Sequence, residues 1–231
     1  MYRFIVASMA LIGLTVGSVS AGPPSPGQTI QNSIEILKDL SKDPLKGIPP
    51  SLIADAQGIA IIPNVVKVGF VFAGRGGHGL VMTRDKEGHW GEPVFVDLGG
   101  ASVGFQIGVE STDVVLIFRK RKSLDRILEG KNKLTLGADA AIAAGPVGRN
   151  VAAATDAKLE AEIMSYSRSR GLFAGVALDG AVIDANNRVT EAYARDVRPE
   201  LRKLSDALRI KLTEMAIDLK ADPILGPVVK P

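Results

Sequence analysis

The chain has 231 residues, of which 46% are hydrophobic, so it can bury a full core and does not have the composition of a disordered protein. Its net charge of +3 is small, so any case for an anionic partner must rest on local clusters of basic residues. The absence of cysteine excludes disulfides, thiolate nucleophiles, cysteine–zinc sites and a lipidated N-terminal cysteine.

The first residues predict a signal peptide. Arg3 supplies the positive start, residues 4–16 form an apolar run, and Val19-Ser20-Ala21 provides the small residues that a signal peptidase requires. We expect cleavage after Ala21, a linker over residues 22–27, and export to the periplasm or the medium. The alternative is a membrane anchor, but the apolar run is short for crossing a bilayer.

Two helices are predicted before the first strand. Residues 28–41 have helical periodicity, and residues 52–56, capped by Ser51, form a shorter helix. The first helix is amphipathic, and we expect its apolar stripe to enter a membrane interface. That stripe consists of Ile30, Ile34, Leu37 and Leu40.

A long β-rich region comes next. The runs predicted as strands are 58–63, 65–73, 80–84, 90–98, 101–109, 114–118 and 172–183, with 134–144 alternating and 157–169 favouring a strand. The predicted turns are the glycine-rich run 74–79, residues 110–113 and Arg170-Gly171. Glycines inside or beside these strands indicate bends. They are Gly69, Gly104, Gly108, Gly137, Gly175 and Gly180.

The C-terminal region is predicted to return to helix. Residues 123–128 form a brief helix within the β-rich region, residues 187–195 a turn or two, and residues 199–221 a long helix with an apolar stripe. The pattern predicts one domain over 28–221 and a tail over 222–231. The fold class is α+β: a strongly curled, mainly antiparallel, glycine-rich sheet or small barrel packed with N- and C-terminal helices.

Two short motifs resemble catalytic signatures. Residues 74–79 spell GxGxxG, but the next residues are an apolar run typical of a strand, whereas a dinucleotide site requires a helix there. Residues 100–104 spell GxSxG around Ser102, but residues 105–108 are poor helix material and both histidines precede the serine. A serine hydrolase using Ser102 is therefore kept only as the last alternative.

The two histidines give little support for a metal site. His78 and His89 lie eleven positions apart with Asp85 and Glu87 between them, a pattern that a surface hairpin also produces. We therefore predict no metal, no cofactor and no catalytic residues.

Basic residues gather in two places. Seven of them stand between positions 119 and 133 against only Asp125 and Glu129, and these can attract phosphate-bearing head groups. The seven are Arg119, Lys120, Arg121, Lys122, Arg126, Lys131 and Lys133. A solvated helix-and-loop edge is the alternative interpretation of this cluster.

Arg168 and Arg170, among several serines, form a second stretch that suits an anion. Pairing of these arginines with Glu160, Glu162 or Asp179 as structural ion pairs is equally compatible with the pattern. Aromatic residues make up only 5% of the chain, so nucleic-acid recognition by base stacking has little support.

Five blocks resemble the SYLF domain family in sequence and in order. They are AQGIAIIP (56–63), VGFVFAGRGGHGLVMTR (68–84), WGEPVFVDLGGASVGFQIGVESTDVVLIF (90–118), LTLGADAAIAAGPVGR (134–149) and SYSRSRGLFAGVALDGAVI (165–183). The resemblance covers about residues 34–194 and implies binding rather than catalysis. Eukaryotic relatives bind phosphoinositides and other anionic lipids, and some bind actin filaments. The predicted export argues against actin as a native partner here.

We therefore expect a non-enzymatic, exported domain that binds anionic phospholipid or a membrane surface through the two basic stretches. The main alternative is a structural or interaction protein of the cell envelope that binds a protein partner through its terminal helices.

Overall fold

The computed structural model describes residues 23–42, 47–69, 72–103, 108–129, 133–147, 161–169, 172–176 and 178–217. Within these ranges the chain forms five helices and nine strands. The helices are α1 Pro26–Lys42, α2 Pro50–Ala54, α3 Arg121–Leu128, α4 Asn187–Arg195 and α5 Pro199–Ile217. The strands are β1 Gly58–Gly69, β2 Phe72–Thr83, β3 Val94–Val103, β4 Gly108–Phe118, β5 Leu134–Thr135, β6 Ile142–Ala144, β7 Ile163–Ser169, β8 Leu172–Gly175 and β9 Val182–Ala185.

The strands form one curled sheet in the order β5-β9-β3-β2-β1-β4-β7-β6, with β8 added beside β7. The pairings between these strands are antiparallel except for the short parallel pair of β6 and β7. The sheet curves into a half-barrel, which confirms the predicted α+β class with a mainly antiparallel sheet.

The centre of the sheet is buried on both faces. Successive side chains of a strand point to opposite faces, and Ile59 and Ile61 lie in one hydrophobic cluster while Ala60 and Ile62 lie in the other. Helices α1, α2 and α5 cover the first face, which we call the α1 face. Helix α3 and the strands β5 and β9 contribute to the second cluster, on what we call the α3 face. The run IAII at 59–62 is uniformly apolar because both of its sides are covered.

The apolar stripe of α1 packs into this core. The helix matches the predicted residues 28–41 closely, but the four residues expected to contact a membrane are at most 5% exposed. Ile30, Ile34, Leu37 and Leu40 pack against the α1 face of the sheet and against α5. This corrects the expectation for the folded state, because membrane contact by these side chains would require α1 to leave the sheet. Periodicity alone cannot separate a core-facing stripe from a membrane-facing one.

Helix α5 packs into the core in the same way. Its buried apolar residues are Leu201, Leu208, Leu212 and Met215, and the last of its 19 described residues is Ile217. Glu92 fixes the helix to the sheet by accepting hydrogen bonds from Ser205 (3.0 Å) and Arg209 (2.7 Å). The apolar stripe of α5 is therefore used internally, although Ile210 is 59% exposed, and only the outer surface of the helix remains for a protein partner.

The first hairpin differs from its prediction. Strand β1 joins the predicted strand 58–63 to the first part of the predicted strand 65–73, with a bulge around Asn64, which has a φ of 51°. Residues 72 and 73 belong to β2. The glycine-rich run 74–79, predicted to be the turn, lies inside β2. The whole run pairs with β3, and its residues 74–76 also pair with β1. Gly79 is required there by packing, because a Cβ atom would lie 2.7 Å from Ile62 Cγ1 and would also clash with the backbone of β1.

Other boundaries also move. Residues 110–113, predicted as a turn, belong to β4, and the predicted strand 172–183 is two strands, β8 and β9. Gly180, with a φ of 76°, lies in the turn that leads into β9. Arg170-Gly171, the other predicted turn, lies outside the described residues. Polar residues such as Glu110 and Ser111 fit a strand here because this end of β4 is exposed.

A buried tyrosine joins β7 to the segment after β6. The Tyr166 hydroxyl donates a hydrogen bond to the carbonyl oxygen of Pro146 (3.0 Å), and burial raises the pKa of this tyrosine. Its ring lies against Gly145, where any side chain would collide with the ring. The neighbouring hydroxyl of Ser165 lies within hydrogen-bonding distance of the carbonyl oxygens of Ala143 and Val176. The adjacent Ser165-Tyr166 pair is therefore structural.

The contact between Tyr166 and Gly145 gives a direct test of the fold. Gly145→Ala places a methyl group in the tyrosine ring, so we expect it to lower the free energy of unfolding by about 1–3 kcal/mol or more. Gly74→Ala is the matched control, since its Cβ would meet nothing within 4 Å. Urea denaturation followed by circular dichroism measures both; equal stability of the two variants would contradict the packing described here.

Candidate functional site

The first predicted basic stretch surrounds helix α3 at one end of the sheet. The helix starts directly after β4, and its buried residues Leu124 and Ile127 fasten it to the α3 face. Lys120 occupies the N-cap position without a capping hydrogen bond from its side chain. Lys120, Arg121 and Lys122 are exposed at this end of the helix.

Carboxylates from distant parts of the chain fold against these cations. Four ion pairs of these cations lie within the described residues, and three of them join different segments of the chain. The pairs are Lys120 with Glu162 (3.5 Å), Arg126 with Asp139 (3.2 Å), Lys133 with Asp184 (3.4 Å) and Arg121 with Asp125 (2.8 Å). The excess of positive charge that the sequence suggested over 119–133 is therefore much smaller in the folded protein.

The pKa values of two of these carboxylates reflect the pairing. A hydrogen bond from Ser123 first, and then the charges of Lys120 and Lys122, lower the pKa of Glu162. The backbone N–H of Thr135, followed by the charge of Arg126, lowers the pKa of Asp139. Both groups are therefore ionised at neutral pH and hold cations in place.

Lys122 differs from its paired neighbours Lys120 and Arg121. Lys122 is exposed and makes no ion pair within 4 Å to any residue the structure describes. Arg119 is half-buried, and its guanidinium donates to the carbonyl oxygen of Ala161 (3.5 Å). Lys131 lies outside the described residues. The accessible basic surface is therefore the edge formed by Lys120, Arg121 and Lys122, which we call the α3 basic edge.

Arg168, the first residue of the second predicted stretch, is held in a structural ion network. Its guanidinium pairs with Asp113 of β4 (2.6 Å) and with Asp39 of α1. Asp113 also accepts a hydrogen bond from the backbone N–H of Asn64 at the bulge (2.9 Å). The side chains of Arg168 and Asp113 are only 19% and 11% exposed. This network links α1, β1, β4 and β7, whereas Arg170 lies outside the described residues.

The structure does not bring the two basic stretches together. Arg168 lies beside Asp113, five residues before the end of β4, which corresponds to about 17 Å along the strand. Its neighbours at alternate positions, Met164 and Tyr166, belong to the α1 face, whereas α3 packs on the opposite face. In this conformation Arg168 and the described basic residues around α3 therefore lie at separate places in the fold.

The catalytic motifs do not adopt catalytic geometry. Ser102 lies within β3, where its backbone pairs with Ala73, so the strand-to-helix turn of a nucleophile elbow is not present at this serine. Residues 74–79 lie within β2 and lead into its apolar half instead of a helix. Among the described residues, no three His, Cys, Asp or Glu side chains are placed to hold a metal ion. No helix in the same residues is long and apolar enough to cross a membrane.

A cleft of about 890 Å³ lies on the α1 face, between the start of α1 and strands β1 to β3. It is lined by Pro24, Gln28, Thr29, Asn32, Pro63, Asn64, Val66, Gly76, Gly77, His78, Asp97 and Leu98. His78 Nδ1 lies 2.6 Å from Asp97 Oδ1, and Asp97 Oδ2 accepts a hydrogen bond from Asn186 (2.9 Å). Sequence reasoning missed this site, because His78 and Asp97 meet only through the register of β2 and β3.

Comparison with known proteins identifies similar chains. Residues 99–202 match the family model Ysc84, described as "Las17-binding protein actin regulator". Human SH3 domain-containing YSC84-like protein 1 is 38% identical over 156 residues, covering 67% of this chain and 45% of the relative. LAS seventeen-binding protein 3 of Saccharomyces cerevisiae is 39% identical over 151 residues, covering 64% of this chain and 32% of the relative.

The Xenopus laevis SH3 domain-containing YSC84-like protein 1 is 36% identical over 172 residues, which are 72% of this chain and 51% of the relative. The chain thus spans about half or less of the length of these relatives. No solved structure matches.

The Arg168 network predicts a large effect on stability. Arg168→Ala would leave Asp113 as a poorly solvated charge, so we expect the free energy of unfolding to fall by about 2–4 kcal/mol. Arg195→Ala removes an exposed pair with Glu191 and should cost less than about 0.5 kcal/mol. Urea denaturation at pH 7 compares the two, and similar small losses would show that Arg168 is not structural.

The same network predicts a pH dependence. A hydrogen bond from Lys42 first, and then the charge of Arg168, lower the pKa of Asp39 in the folded state. A lowered pKa stabilises the fold above the unfolded-state pKa of about 4, and this contribution is lost as the pH falls through the folded-state value. The stability difference between wild type and Arg168→Ala should therefore shrink on acidification below about pH 4, as measured by urea denaturation at each pH. A difference that grows on acidification would contradict this assignment.

Proposed function

This chain belongs to the SYLF (Ysc84) family, and from that premise we propose that it is a non-enzymatic binding domain whose ligand is anionic phospholipid. The family description names binding and regulation, and one yeast relative is named for binding. We also propose that the chain is exported, as its N-terminal sequence predicts, and acts at a membrane surface outside the cytoplasm.

The observation that carries the lipid proposal is the α3 basic edge. Lys122 has no ion pair among the described residues, and the first turn of α3 lacks a side-chain cap at Lys120. Backbone N–H groups at a helix N-terminus attract anions, and each basic residue near an anionic surface contributes about 1 kcal/mol. The edge is therefore suited to phosphate groups presented by a surface.

The ion pairs at this edge are compatible with lipid binding. The side chains of Lys120 and Arg121 are 58% and 47% exposed, and exposed ion pairs contribute only about 0–1 kcal/mol. A dense array of lipid phosphates can replace such weak partners without disturbing the core contacts of Leu124 and Ile127. Arg168 is left out of the proposed ligand site because its two carboxylates hold it within the fold.

A protein partner is the second candidate, and the names of the relatives favour it. The family description names Las17 binding and actin regulation, and one yeast relative is named for binding LAS seventeen. Because the chain spans only part of these proteins, their partners do not transfer through the match alone. The predicted export separates this chain from cytoplasmic actin, so an envelope protein would be the partner under this alternative.

The lipid proposal predicts charge-dependent vesicle binding. The double variant Lys120→Glu, Lys122→Glu should reduce binding to phosphatidylglycerol-containing vesicles about tenfold or more, because it reverses two charges at the edge. Flotation of the protein with vesicles, with and without phosphatidylglycerol, measures the bound fraction.

The matched control is Lys86→Glu, Lys203→Glu, which makes the same charge change at two exposed lysines elsewhere. It should retain most of the binding. Equal loss of vesicle binding in both double variants would mean that net charge, and not the position of the lysines, determines binding. Equal binding of the wild type to neutral and anionic vesicles, or binding to neither, would refute the proposal.

A further inference from the structure

The cleft on the α1 face is a built cavity, enclosed by two separate parts of the fold. One wall is the chain at Pro24 with the first turns of α1, and the floor is the exposed continuation of β1 to β3 beyond the core. Its volume of about 890 Å³ is within the range of sites that hold small molecules. Nothing in the lipid proposal uses this cleft, since the α3 basic edge lies on the opposite face.

The charges of the cleft exclude one class of ligand. Its lining contains no lysine or arginine, and its titratable side chains are His78 and Asp97. The guanidinium of Arg168, which is linked to the bulge at Asn64 through Asp113, is already paired with Asp113 and Asp39. A phosphate or sulfate would find a carboxylate and no dedicated cation, so an anionic ligand does not fit.

The uncharged polar groups of the cleft are open to a ligand. The side-chain amides of Asn32 and Asn64 make no hydrogen bond within the described part of the chain. Gln28 Oε1 accepts a hydrogen bond from the Ser25 backbone N–H (3.0 Å), which leaves its NH₂ group available. The amides thus offer both donors and acceptors, the combination that pairs with hydroxyl groups.

The pair of His78 and Asp97 adds an oriented group to this set. Because Nδ1 is hydrogen-bonded to Asp97, the opposite ring nitrogen, Nε2, is left for a ligand. The side-chain amide of Asn186 donates a hydrogen bond to the same carboxylate and holds it in place. The side chains of His78 and Asp97 are 50% and 43% exposed, so both are accessible.

The floor between these polar groups carries apolar surface without bulky side chains. Val66 is 41% exposed, and a Cβ atom at Gly76 would lie no closer than 3.9 Å to its neighbours. A ring that presents C–H groups on one side and hydroxyl groups at its edges matches such a floor with an amide rim.

From these features we infer that the cleft binds a neutral polyhydroxylated ligand, a saccharide of one or two rings. Hydroxyl groups pair with Asn32, Asn64, Gln28 and His78 Nε2, and a C–H face of the ring lies on Val66 and Gly76. The same ring can come from a free sugar or from the head group of a glycolipid, and the test separates these sources.

The experiment is a titration followed by amide NMR chemical shifts of the purified protein. The probes are maltose, cellobiose and N,N′-diacetylchitobiose, with inorganic phosphate as the charged comparison. We expect saturable shifts at Asn32, Asn64 and Gly76 with at least one disaccharide and none there with phosphate. Absence of saturable shifts with all three sugars, or stronger shifts at these residues with phosphate, would overturn the inference.

Variants assign the binding to the cleft. Asn32→Ala and His78→Ala should each raise the Kd about tenfold through the loss of a hydrogen bond. The controls are Asn187→Ala and His89→Ala, at exposed positions outside the cleft, and their Kd values should stay within about twofold of the wild type. Gly76→Val should fill the floor and abolish binding, since its Cβ has room and its methyl groups extend from there into the cleft. Circular dichroism and the unfolding midpoint check that this variant keeps the fold. Unchanged affinity in Gly76→Val would refute the site.

Vesicle binding distinguishes a free sugar from the head group of a glycolipid as the ligand. Phosphatidylcholine vesicles carrying a neutral diglycosyl lipid should bind the wild type and not Gly76→Val if the head group is recognised on a membrane. Saturable binding of the free disaccharide without vesicle binding identifies a soluble sugar. Both results support the cleft as a saccharide site. Equal vesicle binding by the wild type and Gly76→Val would contradict it.

Discussion

The fold depends on burying both sides of the central strands at once. Residues 59–62 of β1 are apolar at every position, and their side chains enter two separate clusters. Two covers are therefore required: α1, α2 and α5 on one face, and α3 with the short strands on the other. The apolar residues of each of these helices pack against the sheet, so only the outer surface of each helix remains for binding. The candidate surfaces are consequently polar edges and a cleft, not apolar helix faces.

The ion network around Arg168 shows how the covers are joined to the sheet. Arg168 on β7 links Asp39 of α1 to Asp113 of β4, and Asp113 in turn holds the bulge at Asn64. Asn64 also lines the cleft, so the network extends from α1 and β7 to the edge of the cleft.

Much of the fold was predictable from local pattern, and the site was much less so. The amphipathic periods at 28–41 and 199–221 and the β-branched runs predicted helices and strands because each signal lies within one element. The charge around α3 could not be predicted in the same way, because Glu162, Asp139 and Asp184 reach it from distant parts of the sequence. The glycines at 74–79 are typical of a turn, yet Gly79 allows close packing inside β2. The pair of His78 and Asp97 depends on strand register, which the sequence alone does not specify.

Lipid contact at the outer surface of α3, with α1 still folded on the sheet, is the central claim. Hydrogen–deuterium exchange of the protein on phosphatidylglycerol vesicles tests most directly whether α3 contacts lipid while α1 stays folded. Slower exchange over residues 119–129, with unchanged exchange over residues 26–42, is the predicted result. Faster exchange in α1, which would mean that the helix leaves the core to meet the membrane, or no change at α3 in the bound protein, would contradict it.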